Sequence, residues 1–254
     1  MYKRQTLTPF SYFNALFGGD EETVFLRLRS PFPPANLCVI VDGRISTYYR
    51  EREQTKYRLA DAITQLVRGK QGNYLAFFPS YAYLKTVHDV FCDVFPEIPT
   101  IVQARDMNEA ARDAFLEHFV RDNPQTLVGF VVMGGIFGEG IDLVGRRLSG
   151  AAIVGVGLPG ICMERDLIRD HFETTRQAGF DFAYRYPGFN RVLQAVGRVI
   201  RTTRDQGSVL LVDNRFTTHR YRALYPEEWQ PVSPRSDNPV AHILENFWMK
   251  EHAS

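Results

Sequence analysis

Apolar residues follow two spacings along this chain. From Glu51 to Val67, positions Leu59, Ile63, Leu66 and Val67 share one face, which predicts an amphipathic helix. Near-continuous apolar runs predict buried strands at Leu37 to Val41, Tyr74 to Phe78, Thr100 to Val102, Leu127 to Met133, Ala151 to Val156 and Val209 to Val212. Between them, Tyr81 to Phe95, Asn108 to Val120, Cys162 to Gln177 and Phe189 to Thr202 read as helices. Buried strands alternating with amphipathic helices imply an α/β fold with a parallel sheet covered on both faces. Upstream, Thr8-Pro9-Phe10 reads as a helix start with Thr8 as cap, and Gly18-Gly19 as its end. Val24 to Leu28 alternates apolar and polar residues and predicts a further strand. Ser30-Pro31-Phe32-Pro33-Pro34 is a rigid loop, and past Tyr225 the rhythm fades into an expected tail.

Composition changes this picture in one respect. The 254 residues carry 30 basic and 29 acidic side chains, so the net charge of +1 demands no nucleic-acid or membrane partner. The basic residues are lopsided, however, with 25 Arg against 5 Lys. Arginine grips phosphate or carboxylate in a planar fork that lysine lacks. Cys38, Cys92 and Cys162 are too far apart for a disulfide framework or metal site and suit a reducing cytoplasm. The six histidines lack ligand spacing, so no metal site is expected. The longest uncharged runs, 123–138 and 148–163, are broken by Gly or Pro and fall short of the ~20 residues of a membrane span. Met1 to Gln5 precedes no apolar stretch and is not a signal peptide.

Ligands of open parallel sheets bind beyond the carboxyl ends of the strands. Three segments stand there: Pro79-Ser80-Tyr81, the run Gly134 to Asp142, and Asp213-Asn214-Arg215-Phe216. The sharpest pattern lies in the helix expected before the last strand, Gln194-Ala195-Val196-Gly197-Arg198-Val199-Ile200-Arg201. Positions 194, 197, 198 and 201 fall on one helical stripe, and Leu193, Val196, Val199 and Ile200 on the other side. The first stripe offers a carboxamide, a bare glycine and two guanidinium groups, and the second is core. Glycine inside a helix costs roughly 1 kcal/mol against alanine, a cost that close approach of a ligand or another backbone would explain.

This Q-x-x-G-R-x-x-R pattern resembles motif VI of superfamily 2 helicases. Phe77-Phe78-Pro79-Ser80-Tyr81 resembles motif IV of the XPD/DinG branch, and Gly138-Glu139-Gly140-Ile141-Asp142 resembles motif V. Thr6-Leu7-Thr8-Pro9 with Tyr12-Phe13 is similar to the end of motif III. Thr203 to Gly207 leading to Asp213 to Phe216 is also similar to that branch, so the resemblance runs from Thr6 to Phe216. It departs from the family in lacking a G-x-x-x-x-G-K-[ST] loop, a D-E-A-H-like box and the Ser-Ala of motif III. The expectation is a truncated chain: residues 1–36 a remnant and entry segment, 37–225 the RecA-like second motor domain, and 226–254 a tail.

The resemblance implies an ATP-dependent DNA helicase translocating 5′ to 3′, with a place in DNA repair. Arg198 and Arg201 would be arginine fingers and Gln194 would bond near the γ-phosphate. Gly138, Glu139, Gly140, Asp142 and Gly197 would bind ATP or couple it to DNA. Ser80, Tyr81, Tyr83 and Arg185 would contact single-stranded DNA, RNA not being distinguished. ATP with Mg²⁺ would be held mainly by the first motor domain, the partner absent from this stretch, and an iron–sulfur cluster would lie there too. The chain alone is therefore expected to be inactive. Tyr184, Tyr186 and Phe189 are either base-stacking or core residues. The competing reading is a non-catalytic nucleic-acid-binding or regulatory domain with a helicase fold. An unrelated α/β hydrolase is disfavoured because Gly-x-Ser-x-Gly is absent.

Overall fold

The computed structural model describes residues 7–135, 137, 143 and 145–249. Six strands form one wholly parallel sheet in the order β1-β6-β5-β2-β4-β3. They are β1 (Leu37–Asp42), β2 (Asn73–Phe78), β3 (Thr100–Val102), β4 (Leu127–Val132), β5 (Gly150–Val154) and β6 (Gly207–Val212). β6 pairs with β1 and β5, and β2 with β5 and β4, so the central strands are hydrogen-bonded on both edges. This is the expected RecA-like α/β architecture.

Alternation within each strand feeds two cores. Ile40, Tyr74, Ala76, Phe78, Phe130 and Leu210 point to one face, and Val39, Val41, Leu75, Phe77, Val131 and Leu211 to the other. Helices α2 (Arg52–Arg68) and α3 (Tyr81–Val94) cover the first face, through Leu59, Ile63, Leu66, Val87 and Phe91. The second is covered by α4 (Glu109–Glu117) and α6 (Tyr186–Val196), through Phe115, Phe189, Val192 and Val196. Caps fix two helix starts at strand ends. The Ser80 side chain accepts from the Tyr83 amide at 3.3 Å, and that of Asn108 from the Ala111 amide at 2.8 Å.

Four expectations are corrected. No strand forms at Val24 to Leu28; Val24, Leu26 and Leu28 are exposed, because no neighbouring strand offers a ladder. Helix α1 (Phe10–Leu16) has Pro9 at its cap position and no side-chain cap, so Thr8 does not serve. The helix expected from Phe189 to Thr202 spans only α6, entered through a single π turn at Asp181–Arg185 that follows α5 (Met163–Arg176).

The segment beyond residue 225 is packed, not trailing. After the short α7 (His219–Arg222), Val232 bonds β1 through Val41 N–H to Val232 O and Val232 N–H to Val39 O, both 2.9 Å. Helix α8 (Val240–Met249) then buries Val240, Ile243, Leu244 and Trp248 in the α2–α3 core. Gly69, at the end of α2, makes room for it: a Cβ there would lie 2.8 Å from Leu244 Cδ1. At the other end of the chain, Tyr12 of α1 packs with Phe172 and Phe182, tying the entry segment to α5 and the π turn.

Candidate nucleotide and nucleic-acid site

Val192, Leu193, Ala195 and Val196 turn α6 towards the sheet and leave Gln194 exposed. The helix stops at Val196 with Gly197 as its cap residue, and Arg198 and Val199 continue as tight turns bonded to Ala195 O and Val196 O. Arg201 is therefore not on a helical stripe with Gln194. Val199 and Ile200 are still core, as expected, because Gly207 lets Val199 lie against β6: a Cβ there would be 2.2 Å from Val199 Cγ1. The four residues of the pattern remain together at the surface, Gln194 and Gly197 exposed, Arg198 and Arg201 half-buried. A Cβ at Gly197 would meet only Leu193 O and Gln194 O, at 3.3 and 3.5 Å. No other described element approaches that glycine.

Gly138, Glu139, Gly140 and Asp142 lie outside the described residues. On one side of them, Gly134 has φ +74°, and a Cβ there would lie 2.9 Å from Arg191 Nε. The bare backbone thus brings the turn after β4 against the same helix that leads to Gln194.

At the end of β2, Ser80 caps α3 and Tyr81 is half-exposed. The Tyr81 hydroxyl accepts from Gln103 Nε2 at 2.8 Å, and Gln103 Oε1 accepts from the Val132 amide at 2.8 Å. Arg105 lies over the Tyr81 ring, 5.4 Å from its centroid. Gln103, which the sequence reading missed, thus ties the ends of β2, β3 and β4 together; its place one residue beyond β3 was the available signal.

Two expected contacts are corrected. Tyr83 is 2% exposed and packs in the α2–α3 core, its ring beneath the Arg52 guanidinium at 4.4 Å. Arg185 is 7% exposed, ion-paired with Asp181 and close to the rings of Phe180 and Tyr221, at 5.5 and 5.7 Å. Neither side chain is presented to a strand. Tyr184 and Phe189 are also core.

A further cluster occupies the ends of β1 and β6. Asp213 is fully buried; its carboxylate accepts from the Thr47 amide and hydroxyl, and from Arg215 Nε and Nη2 at 2.7 and 2.9 Å. Asp42 likewise accepts from Arg44 Nε and Nη2 at 2.9 and 2.7 Å. Burial works against the charge of Arg215, but the hydrogen bonds and charge of Asp213 outweigh it and raise its pKa. No group of three or more His, Cys, Asp or Glu suited to a metal occurs among the described residues. Cys38 is buried on β1, Cys92 lies on α3 and Cys162 precedes α5, a set that does not fit a shared cluster. No helix among the described residues is long and apolar enough to cross a membrane.

A parallel sheet with a Q-x-x-G-R-x-x-R surface ahead of β6 is the arrangement that resembles a helicase motor domain. Residues 63–232 match the helicase C-terminal domain family, and the chain belongs to it. It is 27% identical over 229 residues to a regulator of telomere elongation helicase 1 homolog of Aedes aegypti, covering 79% of this chain and 22% of that one. It is 28% identical over 220 residues to a probable ATP-dependent helicase of Methanocaldococcus jannaschii, covering 80% and 32%. The chain thus spans about a fifth to a third of these relatives. Among solved structures, XPD in its apo form aligns with a TM-score of 0.67 at 20% identity, over 89% of this chain and 46% of that one. Xpd4 of S. tokodaii aligns at 0.59 and 15% identity, over 84% and 41%.

Proposed function

We propose that this chain acts as the second motor domain of an ATP-dependent DNA helicase of the XPD/DinG type, translocating 5′ to 3′ on single-stranded DNA. The observation that carries this reading is the surface of Gln194, Gly197, Arg198 and Arg201 beside a helix whose opposite face is core. Two guanidinium groups and a carboxamide fit the charge of a γ-phosphate. ATP with Mg²⁺ supplies the phosphoryl group to be transferred. Arg198 and Arg201 offset negative charge as it spreads over that group, and Gln194 orients by hydrogen bonding. No residues here form a G-x-x-x-x-G-K-[ST] cradle, so the first motor domain is the expected partner and the chain alone is expected not to turn over ATP. Ser80 and Tyr81, at the start of α3, are read as part of the single-strand track.

The test uses a protein that joins this chain to a P-loop motor domain. Arg198→Ala and Arg201→Ala should each lower ATP turnover by ~10³ to 10⁵, the range for arginine fingers, and leave single-strand affinity intact. Turnover near that of the unaltered protein would remove the arginine from the reading.

A further inference from the structure

The turn between β1 and α2 is locked from three sides. Thr47 is buried, with its amide and hydroxyl on Asp213 and its hydroxyl accepting from Arg215 Nη2 at 3.3 Å. Arg52 Nε donates to the Thr47 carbonyl at 3.1 Å. Outward this turn presents two rings, Tyr48 at 45% and Tyr49 at 84% exposed, beside the exposed Arg44, Arg50 and Glu51. Behind each stands an arginine, Arg215 at 4.4 Å from the Tyr48 centroid and Arg52 at 5.6 Å from that of Tyr49.

Arg44, Arg52 and Arg215 are not equivalent. Arg44 is paired with Asp42 and Arg215 with Asp213. Arg52 makes no ion pair with a carboxylate among the described residues. It is half-buried, with its Nε on the Thr47 carbonyl and its guanidinium carbon 4.4 Å from the Tyr83 centroid. Burial lowers its pKa and the positive charge of Arg215 adds to this, while Tyr83, Tyr49 and Asp213 act in the opposite direction. Tyr83 lies in the first turn of α3, so Arg52 rests on the same turn that Ser80 caps and Tyr81 begins.

We infer that Arg52 and Tyr49 form a further contact for single-stranded nucleic acid, with Arg52 taking a backbone phosphate and Tyr49 stacking on an adjacent base. A guanidinium with no carboxylate partner among the described residues matches phosphate geometry, and an exposed ring accepts any base. Held by the Thr47 network, both groups are placed before the strand arrives, which lowers the cost of ordering them. The inference rests on the reading that this carboxyl edge carries the single-strand track, and it extends the track from β2 to β1.

The experiment titrates a fluorescent oligothymidylate with this chain at several salt concentrations. Arg52→Gln should weaken binding and flatten the slope of log K against log salt by ~0.7, the value for one phosphate on a single strand. Tyr49→Ala should weaken binding roughly 5- to 150-fold and leave the slope unchanged. Thermal melting verifies the fold. If Arg52→Gln does not fold, Tyr49→Ala decides, because that ring is exposed. Wild-type affinity and slope in the folded Arg52→Gln protein, or wild-type affinity in Tyr49→Ala, overturns the inference while the Ser80–Tyr81 track stands. An unaltered chain that binds no oligonucleotide overturns the track reading itself, and this inference with it.

Discussion

Asp205 holds Arg201 by its backbone: one carboxylate oxygen accepts from the Arg201 amide at 2.8 Å and from the Thr202 amide at 2.7 Å. The other accepts from the Thr202 hydroxyl at 2.7 Å. With α6 finished at Val196, this buried carboxylate is what sets the course of the chain that carries the second arginine. Asp205→Ala leaves two amides without their acceptor and should lower stability by about 2 to 3 kcal/mol, given ~1.5–3 kcal/mol for hydrogen bonds to charged groups. Asp205→Asn keeps one acceptor oxygen and should cost less. Urea denaturation measures both; parent-like stability of Asp205→Ala would mean that the turn holds itself.

Gly157 and Gly188 set how closely α6 approaches the sheet. Gly157 has φ +70°, and a Cβ there would lie 2.4 Å from Gly188 O and 2.9 Å from Met133 Sδ. Gly157→Ala adds left-handed strain of roughly 1–2 kcal/mol to an overpacking cost of ~1–3 kcal/mol. Denaturation should therefore show a loss of about 2 to 5 kcal/mol. A variant as stable as the parent would mean that α6 can move outward freely.

The sheet was legible because strands buried on both faces read as unbroken apolar runs; all six were placed, the half-exposed edge strand β3 from the short run Thr100 to Val102. The end of α6 was not, because Val199 and Ile200 are buried from turns while keeping helical spacing. Periodicity alone cannot separate a helix from turns that reach the same core. Tyr83 could have been placed correctly: with Leu84, Val87, Val90 and Phe91 it completes the buried stripe of α3, whereas Tyr81 stands outside it. Arg185 was expected to contact single-stranded DNA, and its pairing with Asp181 instead follows from the π turn that contains both residues. The Thr47–Asp213 contact joins residues 166 positions apart and left no mark on local pattern. Arg52 and Tyr49 went unread for that reason.

Alkaline pH should destabilise the fold through Cys38. Burial pushes its thiol from 9.0 up to about 11, and burial raises the Tyr74 phenol as well. The folded state keeps the Cys38 proton after the unfolded chain has released it. The stability this group contributes is complete below about pH 9 and is lost as pH rises towards about 11. Each proton retained costs about 1.4 kcal/mol per pH unit across that window. Urea midpoints should fall from pH 9 to 11, and Cys38→Val should fall less steeply. Equal slopes in the two proteins would assign the loss to other groups.

Ser80 offers a way to separate folding from strand contact. Its side chain accepts from the Tyr83 amide at 3.3 Å, so the residue is already needed as a cap. Ser80→Ala should cost about 1 kcal/mol of stability through the cap alone, and weaker binding in that variant would be ambiguous. Ser80→Asp keeps a capping oxygen and adds a negative charge at the positive end of α3, worth ~0.3–1 kcal/mol in the favourable direction. Its stability should match or exceed that of the parent. A phosphate backbone passing this position would meet a like charge, so oligonucleotide affinity should drop, with the loss smaller at high salt as the repulsion is screened. Parent-like affinity in a stable Ser80→Asp protein would show that no phosphate passes the start of α3.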